Sequence, residues 1–424
     1  MGDLLNTVLR HALTEPSENA LAIMRLSLVD WLAVGVAGQG EPVARITREM
    51  VQAEGGAQLV TMFGGGRAPA RAAALVNGTT SHALDLDDTH FAHIGHPSVA
   101  VIPAALAVAE QQSLGKAAML RAALAGCEAS VRFGVAFGRG HYQTGFHQTA
   151  TAGAFGATVA ATMLLSGDHE VMQQALAIVS TRASGLKSQF GTMGKPYNAG
   201  LAAANGVEAA SLAMRGFTSS DLAVEGPLGF CETHHCDGQV PDTEGFLMEA
   251  VNHKFHACCH GLHAALEALN TLKPLNPEAV TSVEIHTHPR WMSVCNKPEP
   301  TTGLEAKFSY RMVTALSLLG RDTADLESFT NELCGNPNVK RLRDKVDVVA
   351  DDTLTETQAH VVINTKAGPQ RAEYDIAAPL NTPERALRIR AKVDALLGEA
   401  KGEMIWDAVH DNSDALEEIT SRMG

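Results

Sequence analysis

The chain has 424 residues, 45% hydrophobic and 19% charged, and a formal net charge of −14. That acidity argues against nucleic-acid binding, which needs a basic face to neutralise phosphates, and no uninterrupted apolar run reaches the ~20 residues of a membrane span. The length suits two or three domains or one large domain with an appendage, the hydrophobic share is ample for a core, and the low aromatic content of 5% favours close-packed helices of small side chains.

Residues 1–10 lack the basic start and apolar run of a secretory signal. Seven cysteines, odd in number and sparse, fit reduced thiols and a cytoplasmic protein. From Leu4 to about Ala37 the pattern is helical, with Leu21, Met24, Leu28, Trp31 and Leu32 near a 3.6-residue period. A second helix is expected over Val43–Glu54, closed by Gly55-Gly56, and a short extended segment over Leu59–Phe63.

The next stretch, Ser81 to Ser98, holds three aspartates, four histidines and Thr89 between Ala-rich apolar flanks. Burying charges without partners is costly, so such a density points to a polar site rather than to packing. Helices are predicted over Arg67–Asp88 and Pro97–Gln112. If the first continues to Thr89, then Asp85, Asp88 and Thr89 share a face. Pro97 suits the first turn of the second helix, which would put His96 at an N-terminus that favours anions. The alternative is capping and solvation alone.

Further along, a helix is expected over Ala117–Phe133 and a polar loop over Gly140–Ala150. Tyr142 and His147 of that loop are candidates to face the pocket of His96; the plainer alternative is a polar entry to the helix 150–165. After a helix over 171–184, the Gly-rich segment Gly185–Pro196 offers Lys187 and Lys195 ahead of a helix from about Gly200 to Arg215. Glycines allow close backbone approach to a ligand, and Lys195 would supply a point charge for a carboxylate. The order of a phosphate-binding G-x-x-x-x-G-K-[ST] loop is absent.

Two Cys/His groups follow, Cys231–Cys236 and Lys254–His263. Their spacings match no standard zinc finger, and the second runs into a predicted helix over 261–272. No metal is therefore expected, and Lys254, Cys259 and His263 are read as lining an organic-acid pocket. After Pro274 the composition turns β-rich over Val280–Thr287 and Gln358–Thr365, with Arg371–Tyr374 completing a hairpin across Lys366–Pro369. Helical segments are expected over Leu304–Leu319, Ala324–Leu333, Arg385–Leu397 and Met404–Met423. The fold class is thus mainly α: a large all-helical domain over residues 1–270, to which a last helix at about 402–424 returns. A smaller α+β lid domain with a small antiparallel sheet covers 271–400.

These motifs together resemble the MmgE/PrpD family, whose members include 2-methylcitrate dehydratase, cis-aconitate decarboxylase and iminodisuccinate epimerase. They are Ser81–Thr89 with His96-Pro97-Ser98, Gly145-Phe146-His147, Gly191–Pro196, Lys254–His263 and Glu305–Ser309, in unbroken order over about residues 20 to 400. The resemblance implies an all-helical domain with an α+β lid, a homodimer and no metal or organic cofactor. It places Asp85, Thr89, His96, His147, Lys195 and Lys254 in the active site. Two positions depart from the family's decarboxylases, which carry histidine at Cys259 and tyrosine at Met312. Both departures count against cis-aconitate decarboxylation and are compatible with the dehydratase or epimerase branch.

The reactions of this family share the making or protonation of a carbanion beside a carboxylate. That needs a base, a proton donor and cations over the developing charge. Lys195 and Lys254 fit the cation role, with Lys187 assisting. His147 is the candidate base, His96 the candidate acid, and Asp85 orients an imidazole or takes the proton. The first expectation is a 2-methylcitrate dehydratase-like hydro-lyase acting on a small polycarboxylate, the second a dicarboxylate epimerase. The rivals from other classes are a non-catalytic binding protein and a metallohydrolase built on the Asp/His cluster.

Overall fold

The computed structural model describes residues 3–424; Met1 and Gly2, the head of the expected helical domain, lie outside them. The chain is mainly α, with one small mixed sheet and one minimal hairpin, Val60–Thr61 against Arg67–Ala68, among the described residues. It forms two compact units. One runs to His253 and takes in Leu397–Gly424; the other is Lys254–Leu396.

In the first unit the expected opening helix is two, Asp3–Ala12 and Glu18–Gly38. Pro16 cannot continue a helix, and Ser17 caps the second by accepting from Ala20 N. By length and composition Glu18–Gly38 is apolar enough to cross a membrane, yet most of its residues are buried inside the protein. Against this helix pack Ala70–Ser81, Ser98–Gln111 and Lys116–Thr144, and Gln148–Leu164, His169–Ser180 and Gly194–Ala213 pack on those helices and on one another. Small residues let these helices touch at their backbones. A Cβ on Gly78 would come within 2.9 Å of Gly200 Cα, and one on Gly200 within 2.3 Å of Leu75 O. This crossing sets the C-terminal end of Ala70–Ser81 beside the first turn of Gly194–Ala213.

Three expectations shift here. The helix before the acidic motif ends at Ser81, so Asp85, Asp88 and Thr89 do not share a helical face; Asp85 itself is left-handed, with φ 55°. The polar loop shrinks to a few residues, because Lys116–Thr144 continues past a break at Gly138 (φ 77°) and the next helix opens at Gln148. Lys195 lies in the first turn of Gly194–Ala213 rather than in a loop, since Pro196 is tolerated there.

In the second unit the strands Val346–Ala350, Val280–Thr287, Gln358–Thr365 and Gly368–Asp375 lie side by side in that order. The last three are antiparallel, but Val346–Ala350 runs parallel to Val280–Thr287, so the expected antiparallel sheet is mixed. The helix Pro337–Arg343 leads into that parallel strand, its N-terminus capped by the Asn336 side chain. His263–Thr271 packs on the sheet, which is why the division between units falls at 253/254 rather than near 270.

Candidate active site

Past Ser81 the backbone turns through His82–Asp88 and then bridges twice, Thr89 to Asn252 and His90 to Gly95. Ile94 is held left-handed at φ 55°, a costly state for a β-branched residue, two positions before His96. His96 N then donates to Thr149 Oγ1 at 3.0 Å, tying the turn to the helix Gln148–Leu164.

A continuous chain of charged groups runs through this turn. His82 Nδ1 lies 2.8 Å from Asp87 Oδ1, and His96 Nδ1 2.9 Å from Asp87 Oδ2. The second contact is a charge pairing more than an aligned hydrogen bond. His96 Nε2 lies 3.4 Å from Asp85 Oδ1, and Lys195 Nζ 2.5 Å from Asp85 Oδ2. Asp87 is fully buried; burial alone would raise its pKa, but attraction from His82 and His96 prevails and holds it well below the usual carboxylate range. Both nitrogens of His96 thus face carboxylates, an arrangement that suits a doubly protonated imidazolium. His82 Nε2 is buried and has no hydrogen-bond partner among the described residues.

His147 enters from a second direction. Its N–H donates to Gly185 O at 2.9 Å, and a Phe146–Leu186 bridge fixes the same crossing. Gly185 is required there: its φ is 147°, and a Cβ would lie 2.5 Å from that of Ala150. The ring of His147 stacks 6.3 Å from His82, meets Phe190 edge-on at 4.9 Å, and has Asn198 Nδ2 3.3 Å from its Nδ1. Burial, then the positive charges of Lys195, His82 and His96, push its pKa well below the ordinary 6.5. It is a neutral imidazole at physiological pH.

Asp85, His96 and Lys195 are therefore joined directly, with His147 within their field. Thr89, half-buried, is spent at the backbone on the bridge to Asn252. Tyr142 and Lys187 pair with each other, Lys187 Nζ donating to Tyr142 O at 2.9 Å and lying 3.7 Å from the ring centre. Lys254, Cys259 and His263 belong to the second unit. There Lys254 and His263 are buried, His263 has rings of His260 and His256 at 4.6 and 5.0 Å, and Cys259 N donates to Lys307 O at 2.9 Å. Met312 is buried in the helix Tyr310–Leu318.

Sequence reasoning assigned no role to His82, Asp87 or Asn198. The first two stood inside the acidic motif, but their pairing needs the turn that ends the helix at Ser81. Asn198 has a local signal: it lies three residues from Lys195 on one helix, hence on the same face.

His82, Asp85, Asp87 and His96 present ligand atoms within 4.8 Å of one another, the one such group among the described residues. Two imidazoles and two carboxylates are a donor set that a divalent ion accepts. However, Asp85 already holds the Lys195 ammonium and Asp87 is shared by two imidazoles, so an ion would have to displace a cation already in place.

Two family models match the chain: the MmgE/PrpD N-terminal domain over residues 2–242 and the MmgE/PrpD C-terminal domain over 256–410. A cis-aconitate decarboxylase-like protein (oryM) of Aspergillus oryzae is 30% identical over 237 residues, 51% of this chain and 49% of its own. The cis-aconitate decarboxylase of Aspergillus terreus is 28% identical over 278 residues (58% and 57%), and that of the mouse 27% over 341 residues (75% and 69%). The chain spans about half the length of the first two relatives it matches.

Proposed function

The chain belongs to the MmgE/PrpD family, and from that premise we propose that it is a hydro-lyase of the 2-methylcitrate dehydratase type, removing water from a small polycarboxylate. The observation that supports this reading is the unbroken run His82–Asp87–His96–Asp85–Lys195 with a neutral imidazole, His147, beside it. Dehydration next to a carboxylate needs one group that takes a proton from carbon and another that gives one to the departing hydroxyl. Neutral His147 suits the first task. His96, held between Asp87 and Asp85, suits the second, with Asp87 orienting its ring. Lys195 releases part of its hold on Asp85 to steady the substrate carboxylate and the enolate-like charge. Lys254, Cys259 and His263 keep a substrate-binding role as part of the same proposal, as do the homodimer, the absence of a cofactor and the cytoplasmic setting.

Cis-aconitate decarboxylation is the second reading, because the relatives from Aspergillus terreus and the mouse are cis-aconitate decarboxylases; Met312, where the family's decarboxylases carry tyrosine, weighs against it. Epimerisation of a dicarboxylate is the third, since two imidazoles can serve opposite faces of one carbon. Incubating the protein with a panel of small polycarboxylates in D₂O, followed by proton NMR, separates the three. Loss of water from a 2-hydroxy tricarboxylate is the expected result. Loss of CO₂ from cis-aconitate, or solvent exchange with inversion alone, would replace the first reading. Metal analysis and chelation test the metallohydrolase.

A further inference from the structure

The Cys231–Cys236 stretch has no part in the proposed chemistry. It forms the short helix Phe230–Thr233 and the turn that ends it. His235 is left-handed at φ 56°; Cys236 N donates to Cys231 O at 2.9 Å and His235 N to Glu232 O at 3.4 Å. This is the six-to-one, five-to-two pattern of a Schellman helix end, which brings the side chains at its first and last positions into contact. Here both positions are cysteines. Both are half-buried, whereas Cys127, Cys258, Cys295 and Cys334 are buried.

We propose that Cys231 and Cys236 are an oxidisable dithiol site that takes a small organic disulfide as its oxidant and closes to an intramolecular disulfide. The Schellman contact supplies the close approach of Cβ atoms that a disulfide requires. The neighbouring Cys236 thiol lowers the Cys231 pKa, and Cys231, followed by burial, raises that of Cys236, so Cys231 is the attacking thiolate. In the first step the Cys231 thiolate attacks one sulfur of R–S–S–R, and RS⁻ leaves with the bonding pair. Cys236 then gives up its proton to solvent, and its thiolate attacks the Cys231 sulfur, expelling the second RS⁻. Two protein thiols are oxidised and one external disulfide is reduced to two thiols.

The site is bolted to the segment that leads to His147. His141 Nδ1 lies 2.7 Å from His234 O, Asp237 N donates to Phe137 O at 3.1 Å, and Gly140 N donates to Asp237 Oδ1 at 2.9 Å. These bonds anchor the residues on either side of His235 and Cys236 to the helix Lys116–Thr144.

The test uses the native full-length protein and oxidised glutathione, followed by alkylation of remaining thiols and cleavage after Glu232, which lies between the two cysteines. The expected product is two peptides joined until a reductant is added, with Cys127, Cys258 and Cys334 alkylated. In Cys236→Ser the glutathione adduct should persist on Cys231; in Cys231→Ser, Cys236 should take none. Circular dichroism of both variants checks that the fold is intact. Complete alkylation of Cys231 and Cys236 after that treatment, a Cys259–Cys295 link in their place, or an adduct on Cys236 in Cys231→Ser would overturn the assignment.

Discussion

His147 shows how much one neighbour decides. A neutral imidazole accepts a proton only through the nitrogen that lacks one, and the group facing the other nitrogen selects it. With Asn198 Nδ2 toward Nδ1, and Leu186 O also 3.5 Å from that amide, the ring proton sits on Nε2. To act as the base through Nε2, His147 must carry its proton on Nδ1, which requires the Asn198 amide to turn its oxygen over. Asn198 is therefore a positioning residue. In Asn198→Asp a carboxylate would accept from Nδ1–H permanently, raise the His147 pKa and move the acid limb of kcat/KM to higher pH. Nitrogen-15 NMR of the imidazole reports the tautomer without substrate, and an unchanged Nε2–H form in the variant would remove Asn198 from this role. His147→Ala should lower turnover by about 10²–10⁴-fold while the melting midpoint stays near that of the parent. A collapse of the midpoint together with activity would make the histidine a packing residue instead.

At the level of elements, the sequence marked strands and helices well where the apolar pattern runs unbroken, as in the strand Val280–Thr287 and the helix Ser98–Gln111. It missed where local chemistry overrides period. Nothing in the spacing shows that His82 would bind Asp87 and end a helix at Ser81, or that Asp85 would turn left-handed. Val346–Ala350 was invisible because a parallel edge strand is chosen by its partner. The motifs for Asp85, His96, His147 and Lys195 were legible; their links were not, since they depend on two helices crossing at Gly78 and Gly200. Gly200→Val tests that crossing. Its Cβ would be driven to 2.3 Å from Leu75 O and 2.2 Å from Thr79 Oγ1, so the helices must part. We expect a loss of about 1–3 kcal/mol from overpacking, read in urea unfolding. Any folded variant should also lose turnover, because Lys195 is carried away from Asp85. Full stability and activity together would show that the close approach does not position the site.

For the molecule as a whole, the same buried groups give stability two opposing slopes with pH. Burial lowers His93 to about 3, His90 to about 4 and His141 to about 4. Unfolded, these rings titrate near 6.5, so between about pH 4 and 6.5 the unfolded chain binds more protons and stability rises with pH. Asp88 acts in the other direction. Burial first, then the nearby charge of Asp30, raises it to about 7 against donation from Ser98 Oγ, which lies 2.5 Å away. Between pH 4 and 7 the folded protein holds that proton and the unfolded chain does not, so this contribution is complete below the unfolded pKa and is lost as pH climbs through 7. Three histidines outweigh one aspartate on the acid side. Above 6.5 only Asp88 of these four still titrates, so stability should peak near neutrality and then fall. Asp88→Asn keeps an acceptor for Ser98 and removes the titration. Its urea midpoint should follow the parent's rise from pH 5 to 6.5, more steeply, and then stay level to pH 8.5 where the parent declines. A parent midpoint that is flat above pH 6.5, or a variant that declines with it, would mean that Asp88 is ionised in the folded protein.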